Sequence, residues 1–408
     1  MHTYYIDFIG GSDALDGRSV ETAWKSQHPD RLQPGDTVLF KRGGFFRGVL
    51  RNPSGLPGQP ITYGAYGEGD NPVFCGSIDA SDPALWECIG ENLWKCTIHD
   101  LDEVGNFMFA DGTCGTLRWE KEDLREQGDW YDDNFGRANR SLKPLPDHTV
   151  LMYSVKNPGE YYSGIECGVL THRYLAHCGH DMNFYDLTFQ NCAFHGVAGE
   201  EGGRNLHVKD CQFLRIGGAV WSKERRIRFG NAFECWNIAE NVVVENCLFD
   251  DIYDSATTHQ GGKECQPADG FYIRSCTFRR CGMAAFEQRD VLPKRGGFIG
   301  NICEAAGEGF SKLGEVMPRK SEIWPQPMGH HIFLWRIPSA TGNEDFRIRD
   351  NVFRNAPYGA AVYSVNAVEA DKATIVSGNH YEMKEFVLLN RFCGVDYPDL
   401  DAWNQREV

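Results

Sequence analysis

The stretch NVVVENCLFDDIYDSATTHQGG, residues 241–262, contains the pattern that decides the fold. It begins with the alternating apolar positions of a buried strand, and a second short strand follows the turn residue Asn246. Three acids, Asp250, Asp251 and Asp254, then precede a third strand-like segment, SATTHQ. A short strand, a polar turn residue and another short strand therefore form the unit to look for elsewhere in the chain.

This unit recurs between residues 184 and 381. Its turn residues are Asp186, Asp210, Asn246, Ser275, Gly300, Asp350 and Gly378. Their spacings of 24, 36, 29, 25, 50 and 28 residues indicate one unit of about 25 residues with insertions, and the longest interval predicts two units. Repeats of this length without intervening helices predict a solenoid, in which each coil buries its apolar face against its neighbours. The predicted fold is an all-β, single-domain parallel β-helix of about ten coils.

Composition and charge exclude several classes of function. The chain has 408 residues, 41% of them hydrophobic, and a formal net charge of −16. An acidic protein of this kind is not expected to bind nucleic acid or an anionic membrane, since both need a basic face. No apolar run approaches the roughly 20 residues that span a bilayer. The start of the chain has no signal-peptide pattern, which predicts a cytoplasmic protein, or a secreted one whose signal has been removed.

Fifteen cysteines are scattered along the chain without a single CxxC pair. A disulfide framework is usually denser and more regular, so buried free thiols are expected. Cys211, Cys247 and Cys276 each follow a turn residue of the repeat, and we predict that they stack inside the coil as small hydrophobic side chains. The alternative is metal binding, for which HCGH at 177–180 offers adjacent ligand types, but no metal site is assigned.

Outside the repeat, the sequence suggests a cap, an excursion and a tail. Residues 19–27, SVETAWKSQ, predict a short amphipathic helix that covers the open end of the stack, with Ser19 as its N-cap. A segment rich in Trp, Tyr and Asp interrupts the repeat and is interpreted as a large loop excursion over a groove. The predicted boundaries are 1–30 for the N-terminal cap, 104–165 for the excursion, 166–385 for the regular coils and 386–408 for a C-terminal cap or tail.

A family resemblance extends over nearly the whole chain. The segments that carry it are YYIDFIGGSDALDGRSVETAW (4–24), LQPGDTVLFKRGGFFRG (32–48), GQPITYGAYGEGDNP (58–72), GDWYDD (128–133), NPGEYYSGIE (157–166), GNAFECWNIAENVVVENCLFDDIYDSATTHQG (230–261) and DYPDLDAW (396–403). In these the chain resembles the right-handed parallel β-helix, or pectate-lyase-like, proteins that act on polysaccharides. The resemblance implies a right-handed solenoid whose third strand in each coil lines a substrate groove. It leaves the chemistry open, because this fold carries lyases and hydrolases alike.

Glu234 and Glu287 are the sharpest candidate catalytic pair. Each follows a phenylalanine in a strand of small residues, NAFE and AAFE, and the SATTHQ strand lies between them in the proposed stack. Two strand spacings place their backbones about 9–10 Å apart. Inverting glycosidases hold their carboxyls ~6.5–9.5 Å apart, whereas retaining enzymes need ~5–5.5 Å. The pair therefore predicts inversion, and the alternative is a column of solvated acids.

The acids of DDIYD offer a second set of candidates. Three carboxylates this close repel one another, so they need a cation, an arginine partner or a raised pKa. A catalytic role is predicted for Asp251 or Asp254, beside the commoner role of a turn acid that bonds its own backbone. A Ca²⁺ site built from these aspartates is the remaining alternative, and would suit a lyase; no other cofactor is expected, because no phosphate-cradling glycine loop opens onto a helix.

Polar and aromatic residues near these acids are candidate substrate ligands. Hydroxyl, imidazole and amide groups suit sugar hydroxyls, basic residues suit a sugar carboxylate or sulfate, and indole rings stack on sugar faces. The predicted substrate-binding residues are Thr258, His259, Gln260, Lys223, Arg289, Trp221, Trp236 and Trp335. Solvated insertion loops and core aromatics are the alternatives.

Three hypotheses of function remain open. The first is a glycoside hydrolase that cleaves a complex or acidic oligosaccharide or polysaccharide with a carboxyl pair. The second is a polysaccharide lyase, which needs a base and a group that neutralises a uronate carboxylate. The third is a glycan-binding β-helix without catalysis, in which replacing Glu234 or Glu287 changes affinity only.

Overall fold

The computed structural model describes residues 1–101, 103–133, 145–170, 174–262, 264–291, 293–312, 328–335, 344–364, 374–383 and 388–406. Three long sheets with parallel strands, here called A, B and C, run side by side along these residues. The strands of sheet A are Thr3–Ile6, Thr37–Lys41, Ile61–Tyr66, His180–Tyr185, Gly203–Lys209, Ala239–Glu245, Asp269–Arg274, Arg295–Ile299, Asp345–Arg349 and Thr374–Ser377. Its ten strands correspond to the predicted coils, and the fold is a parallel β-helix.

Sheets B and C complete each coil. The strands of sheet B are Phe45–Arg47, Val73–Cys75, Thr188–Cys192, Gln212–Ile216, Leu248–Ile252, Thr277–Arg279, Ile302–Glu304, Val352–Arg354 and His380–Glu382. Those of sheet C are Tyr174–His177, His195–Ala198, Phe233–Trp236, Ser255–Gln260, Ala284–Arg289, Ile332–Trp335, Val362–Ser364, Asn390–Phe392 and Val395–Tyr397, the last one antiparallel.

The corner between sheets A and B explains the repeated turn residue. All seven predicted turn residues have a left-handed backbone, with φ between 52° and 65°. Glycine, asparagine and aspartate tolerate this conformation better than other residues do, and they occupy six of the seven corners. The repeat seen in the sequence is therefore the repeat of this corner.

The position after each corner forms a ladder inside the coil. Cys211, Cys247 and Cys276 are buried there as free thiols, which confirms the predicted stack. In the following coils the ladder continues through asparagines: Asn351 Oδ1 accepts the Asn301 backbone N–H at 2.9 Å, and Asn351 Nδ2 donates to Asn379 Oδ1 at 2.9 Å. Each amide thus satisfies polar groups of the adjacent coils in the interior, where an unpaired group is costly.

Phenylalanines form a second ladder within sheet B. The rings of Phe189, Phe213, Phe249 and Phe278 stack on one another with centroids 5.4, 4.7 and 4.9 Å apart. Each such aromatic pair contributes about 0.5–1.5 kcal/mol beyond its buried area. The interior is therefore held by columns of like side chains that run along the solenoid.

Two expectations about the coils are wrong. Residues 19–27 form turns instead of a helix, because Trp24 pairs with Ile6 at the edge of sheet A and its ring stacks on Tyr4 at 4.7 Å. This packing against the first coil overrides helix propensity, and the segment still covers the end of the stack. The interval of 50 residues is one coil with insertions, since Arg295 pairs directly with Asp345.

The excursion is larger than the predicted 104–165, and its strands pair antiparallel except Thr116–Leu117, which pairs in parallel with Asp129–Asp132. Its strands are Ser77–Asp79, Trp86–Gly90, Leu93–Leu101, Val104–Phe109, Thr116–Leu117, Asp129–Asp132, Leu145–Tyr153 and Ile165–Val169. They form two sheets with a separate hydrophobic core around Phe107 and Trp130. The sequence did not show that residues 77–103 belong to the excursion, because apolar and polar residues alternate in an antiparallel hairpin just as they do in a coil strand.

The remaining elements are short. A hairpin of Ala219–Ser222 and Ile227–Phe229 is inserted between sheets B and C. In the part of the chain that the structure describes, the helices are α1 (Pro158–Tyr161), α2 (Leu400–Asn404) and the 3₁₀ turns Pro29–Arg31, Pro83–Leu85, Lys121–Asp123 and Gly309–Lys312. Trp403 of α2 packs on Phe392 and closes the C-terminal end. Among the described helices, none is long and apolar enough to cross a membrane.

Replacing Asn351 with alanine should destabilise the whole solenoid. The change leaves buried N–H and C=O groups of two adjacent coils without partners, and we expect the free energy of unfolding to fall by about 3 kcal/mol. Denaturant unfolding measures this, with Gln190→Ala on the outward face of sheet B as control. An effect no larger than that of the control would contradict the ladder's role.

Candidate active site

Sheet C places the two predicted glutamates in one column. Glu234 pairs in register with Thr258, and Thr258 pairs with Glu287. The SATTHQ strand therefore lies between them as predicted, and two strand spacings separate their backbones by about 9.5 Å. The next member of the column is Phe333.

Alternation along the strands turns this column outward. The neighbouring positions, Cys235 and Leu334, belong to the main core inside the coil. Phe333 belongs to a different cluster, in which its ring stacks on that of Trp335 at 5.5 Å. Successive side chains of a strand point to opposite faces, so Glu234 and Glu287 project away from the core.

Glu287 is 2% exposed and accepts three hydrogen bonds. Its Oε1 accepts from Trp335 Nε1 at 2.6 Å, and its Oε2 accepts from Ser255 Oγ at 2.9 Å and Thr258 Oγ1 at 3.3 Å. Burial raises the pKa of Glu287 to about 7, with Arg289 opposing the shift and Asp254 adding to it. A carboxyl that keeps its proton near neutral pH can serve as a general acid.

Glu234 is 4% exposed and has different neighbours. Its Oε2 accepts from Asn231 Nδ2 at 2.8 Å, and its Oε1 accepts from Gln260 Nε2 at 3.0 Å. His195 Nδ1 lies 3.2 Å from Oε2. The two glutamates thus share a column but not an environment: hydroxyl and indole donors surround one, and amide donors hold the other.

A continuous chain of hydrogen bonds joins the two glutamates. Asn231 donates to Glu234 through Nδ2, and its Oδ1 accepts the backbone N–H of Ser255 at 3.0 Å. Ser255 in turn donates to Glu287. Asn231, Ser255 and His195 were all missed from the sequence. Aligning NAFE with DSATTHQ does place Asn231 beside Ser255, whereas His195 lies one coil earlier, and the inserted hairpin hides its register.

The acids of DDIYD have separate partners in the structure. Asp250 forms an ion pair with Arg280, and Asp251, at φ 61°, accepts the backbone N–H of Phe310 at 3.0 Å. Burial raises the pKa of both carboxyls. Asp254 stands just before the strand of Ser255, close enough for its charge to act on Glu287. The partners of Asp250 and Asp251 thus account for most of the negative charge that precedes the SATTHQ strand.

This arrangement does not support a catalytic role for Asp251 or a calcium site. Asp251 is held at the corner between sheets B and C, outside the glutamate column. In the described part of the chain, no three His, Cys, Asp or Glu side chains are grouped so that they could hold a metal ion. Of the three acids, only Asp254 remains a candidate beside the glutamates.

The remaining predicted substrate ligands fall into three places. Trp236, Gln260, Arg289 and Trp335 form a second outward column beside the glutamates. The guanidinium of Arg289 lies over the Trp335 ring at 5.3 Å, and the indole N–H of Trp335 donates to Glu287. Trp221, 38% exposed, and Lys223 are on the inserted hairpin, where Lys223 Nζ donates to Tyr131 Oη of the excursion at 3.0 Å.

His259 is not placed to contact a sugar. Its side chain points into the coil between Cys235 and Gln288, and Gln288 Nε2 lies 2.8 Å from its Nδ1. Burial lowers its pKa to about 4. Strand alternation thus turns His259 inward, while Thr258 and Gln260 face out.

The excursion and the hairpin close one side of this region. Val220 N donates to Glu103 Oε1 at 2.7 Å, and the buried Arg228 donates from Nη2 to Gly105 O at 2.8 Å. The ring of Phe229, on the hairpin, contacts those of Phe194 and His195 with centroids 4.7 and 5.6 Å apart. The excursion is thereby fixed to the coils next to the Glu234 end of the glutamate column.

No family model and no curated protein sequence matches this chain. Among solved structures, it is similar to XylC in its complex with xylose, at 13% identity and a TM-score of 0.51, over 92% of this chain and 62% of that one. It is also similar to the GH136 lacto-N-biosidase from Eubacterium ramulus, at 16% identity and a TM-score of 0.52, over 93% of this chain and 56% of that one.

The chain thus spans less than two thirds of the length of either protein. At such low identities the likeness concerns the fold alone. It confirms the predicted fold: the parallel sheets of this chain form a β-helix, and its fold is similar to that of these two proteins.

Proposed function

We propose that this protein is a glycoside hydrolase that cleaves a complex or acidic oligosaccharide or polysaccharide with inversion. The observation that carries the proposal is the column Glu234–Thr258–Glu287, in which two buried carboxyls project outward two strand spacings apart in different environments. Such a separation leaves room for a water molecule between an acid and a base, as inverting enzymes require.

The two glutamates have distinct roles in this reaction. Glu287, protonated near neutral pH, donates its proton to the glycosidic oxygen as the bond from that oxygen to the anomeric carbon breaks. Glu234 takes a proton from the water that attacks the anomeric carbon from the opposite face. Trp335 and Ser255 hold Glu287, and Asn231 and Gln260 hold Glu234, so that neither carboxyl rotates away from its task.

The second outward column supports an acidic or polyhydroxylated substrate. Arg289 carries a permanent positive charge that acts on Glu287, with Asp290 Oδ2 3.6 Å from its Nε, and a planar guanidinium suits a sugar carboxylate. Gln260 Oε1 is buried and has no hydrogen-bond partner among the described residues, while Gln260 Nε2 donates to Glu234. The half-buried Trp236 and the exposed Trp221 are the aromatic faces available for stacking.

A polysaccharide lyase is the second candidate, favoured by the fold and by Arg289. Elimination needs a base that loses its proton near neutral pH. Lys223 is a poor base, since its hydrogen bond with Tyr131 raises its pKa, and His259 lies inside the coil. The hydrolase is therefore the better supported of the two, with a glycan-binding protein without turnover as the third outcome of the test.

Glu234→Gln and Glu287→Gln should each lower hydrolysis by about a hundredfold or more, since each removes one proton transfer. The protein is incubated with xylo-oligosaccharides, lacto-N-biosyl substrates, polygalacturonate and other acidic glycans, with and without EDTA. Reducing ends, ultraviolet absorbance of unsaturated products and the anomer first released are followed together. Glu245→Gln, on the outward face of sheet A, is the control.

Hydrolysis that releases the inverted anomer, resists EDTA and disappears in both variants supports the proposal. Unsaturated products would instead establish a lyase. Release of the retained anomer would exclude the Glu234/Glu287 pair as an inverting couple and direct attention to Asp254, whose charge acts on Glu287.

The pH dependence of kcat should follow the proton of Glu287. Because burial raises its pKa to about 7, the acid is protonated below this pH and ionised above it. We expect the rate to fall about tenfold for each pH unit above about 7. Steady-state rates from pH 5 to 9 measure this limb, and a rate that is constant up to pH 9 would contradict the role of Glu287 as the acid.

Glu287→Gln should also change how stability depends on pH. The folded protein binds a proton at Glu287 between its ordinary pKa of 4.5 and about 7, whereas the unfolded chain does not. The wild type therefore loses stability as pH rises through this window, and the variant is spared a loss on the order of 3 kcal/mol.

Thermal or denaturant unfolding at pH 4 and pH 8 measures the effect. Glu245→Gln should change in the opposite direction, because hydrogen bonds from Arg274 and His207 outweigh burial and lower the pKa of Glu245. If the difference between Glu287→Gln and the wild type is the same at both pH values, Glu287 does not hold a proton at neutral pH.

A further inference from the structure

His195 stands at the Glu234 end of the column, and its ring orientation is fixed. The residue starts its strand in sheet C, and the next residue, Gly196, donates its backbone N–H to the carbonyl of Asn231 in the following coil. The rings of Phe194 and Phe229 pack against it at 4.3 and 5.6 Å, nearly perpendicular and at 68°. The imidazole is thus clamped between two aromatic rings and against the next coil.

The hydrogen bonds of Asn231 determine which nitrogen of His195 carries the proton. The backbone N–H of Asn231 donates to His195 Nδ1 at 3.0 Å, so this nitrogen must present its lone pair. A neutral imidazole then has its proton on Nε2. The same Asn231 donates from Nδ2 to Glu234 Oε2, which lies 3.2 Å from Nδ1. Two N–H groups of one residue therefore hold two adjacent acceptors side by side.

The other ring nitrogen of His195, Nε2, is available for a hydrogen bond. Within the described residues it has no hydrogen-bond partner, and it is not among the fully buried polar atoms that lack one. The His195 side chain keeps 11% of its surface exposed, on the outward side of sheet C where the glutamates project. Nε2 is therefore open to a group outside the protein, at the end of the column where the His195 ring lies against Glu234.

We propose that His195 is a substrate-binding residue: its Nε2–H, fixed as a donor by the Asn231 backbone, donates a hydrogen bond to a hydroxyl or ring oxygen of the sugar bound next to Glu234. This inference rests on the proposed glycoside hydrolase function and deepens it. The site selects, at this position, a sugar that offers an acceptor oxygen, because an unmatched donor in a desolvated site costs binding energy.

Two substitutions test the roles of the two ring nitrogens of His195 separately. His195→Asn keeps an acceptor near the position of Nδ1 for the Asn231 N–H but removes the donor. His195→Gln places an amide N–H near the position of Nε2 and gives up the acceptor. His207→Asn, on sheet A, is the control for loss of a histidine elsewhere.

We expect His195→Asn to raise KM about fivefold to tenfold, the loss of one neutral hydrogen bond, with a smaller effect on kcat. His195→Gln should recover part of this loss, and His207→Asn should behave like the wild type. The substrates are those glycans of the panel that the wild type cleaves. Unchanged KM in His195→Asn, while Glu234→Gln and Glu287→Gln are inactive, would overturn the role of His195 and leave the hydrolase intact.

A measurement without substrate tests the same inference independently. In protein labelled with ¹⁵N-histidine, the signal absent from His195→Asn identifies His195, and its ring shifts at pH 7 should show a protonated Nε2 and an unprotonated Nδ1. The opposite tautomer, or an imidazolium, would overturn the proposal even if hydrolysis is observed. If no glycan is turned over, the proposed function fails, while the tautomer still decides whether His195 presents a donor.

Discussion

In-register stacking of parallel strands is the constraint on which the rest of this structure depends. Every coil position meets the same position of the next coil about 4.8 Å away, so each column must be filled by side chains that tolerate one another. The cysteines and asparagines after the corner and the phenylalanines of sheet B meet this condition. Insertions must leave the corners unchanged, and for this reason the hairpin and the excursion emerge between sheets rather than within them.

The glutamate column obeys the same constraint at a greater electrostatic cost. Stacked carboxyls on adjacent coils would repel, and here Thr258 separates Glu234 from Glu287. Both are nevertheless buried. Desolvation raises the pKa of Glu287, and among the described residues no ion pair with a cationic side chain offsets it. Buried acids kept at a cost to stability are characteristic of functional sites. The surrounding donors serve to hold each carboxyl in position.

The site also shows how a solenoid brings distant residues together. His195, Asn231, Ser255 and Glu287 are spread over more than ninety residues of chain but occupy four successive coils. The excursion, anchored through Arg228 and Lys223, adds a wall beside Glu234. A groove built in this way combines a rigid floor of strands with variable insertions, which is how one fold serves different substrates.

The sequence by itself determined the architecture. Corner residues such as Asp210 and Asn246 need a left-handed backbone, and strand alternation is a local property, so the repeat and the Glu234–Thr258–Glu287 register could both be read from one chain. The 50-residue interval, predicted to be two coils, is one. Trp24 and the hairpins of residues 77–103 could not, since packing on the first coil decides the former and strand pairing within the excursion decides the latter. Only the tertiary structure decided that His259 faces inward, that Asp251 belongs to a corner, and that Asn231 links both glutamates. Burial and hydrogen-bond partners depend on neighbours one coil away, and insertions of variable length conceal those neighbours in the sequence.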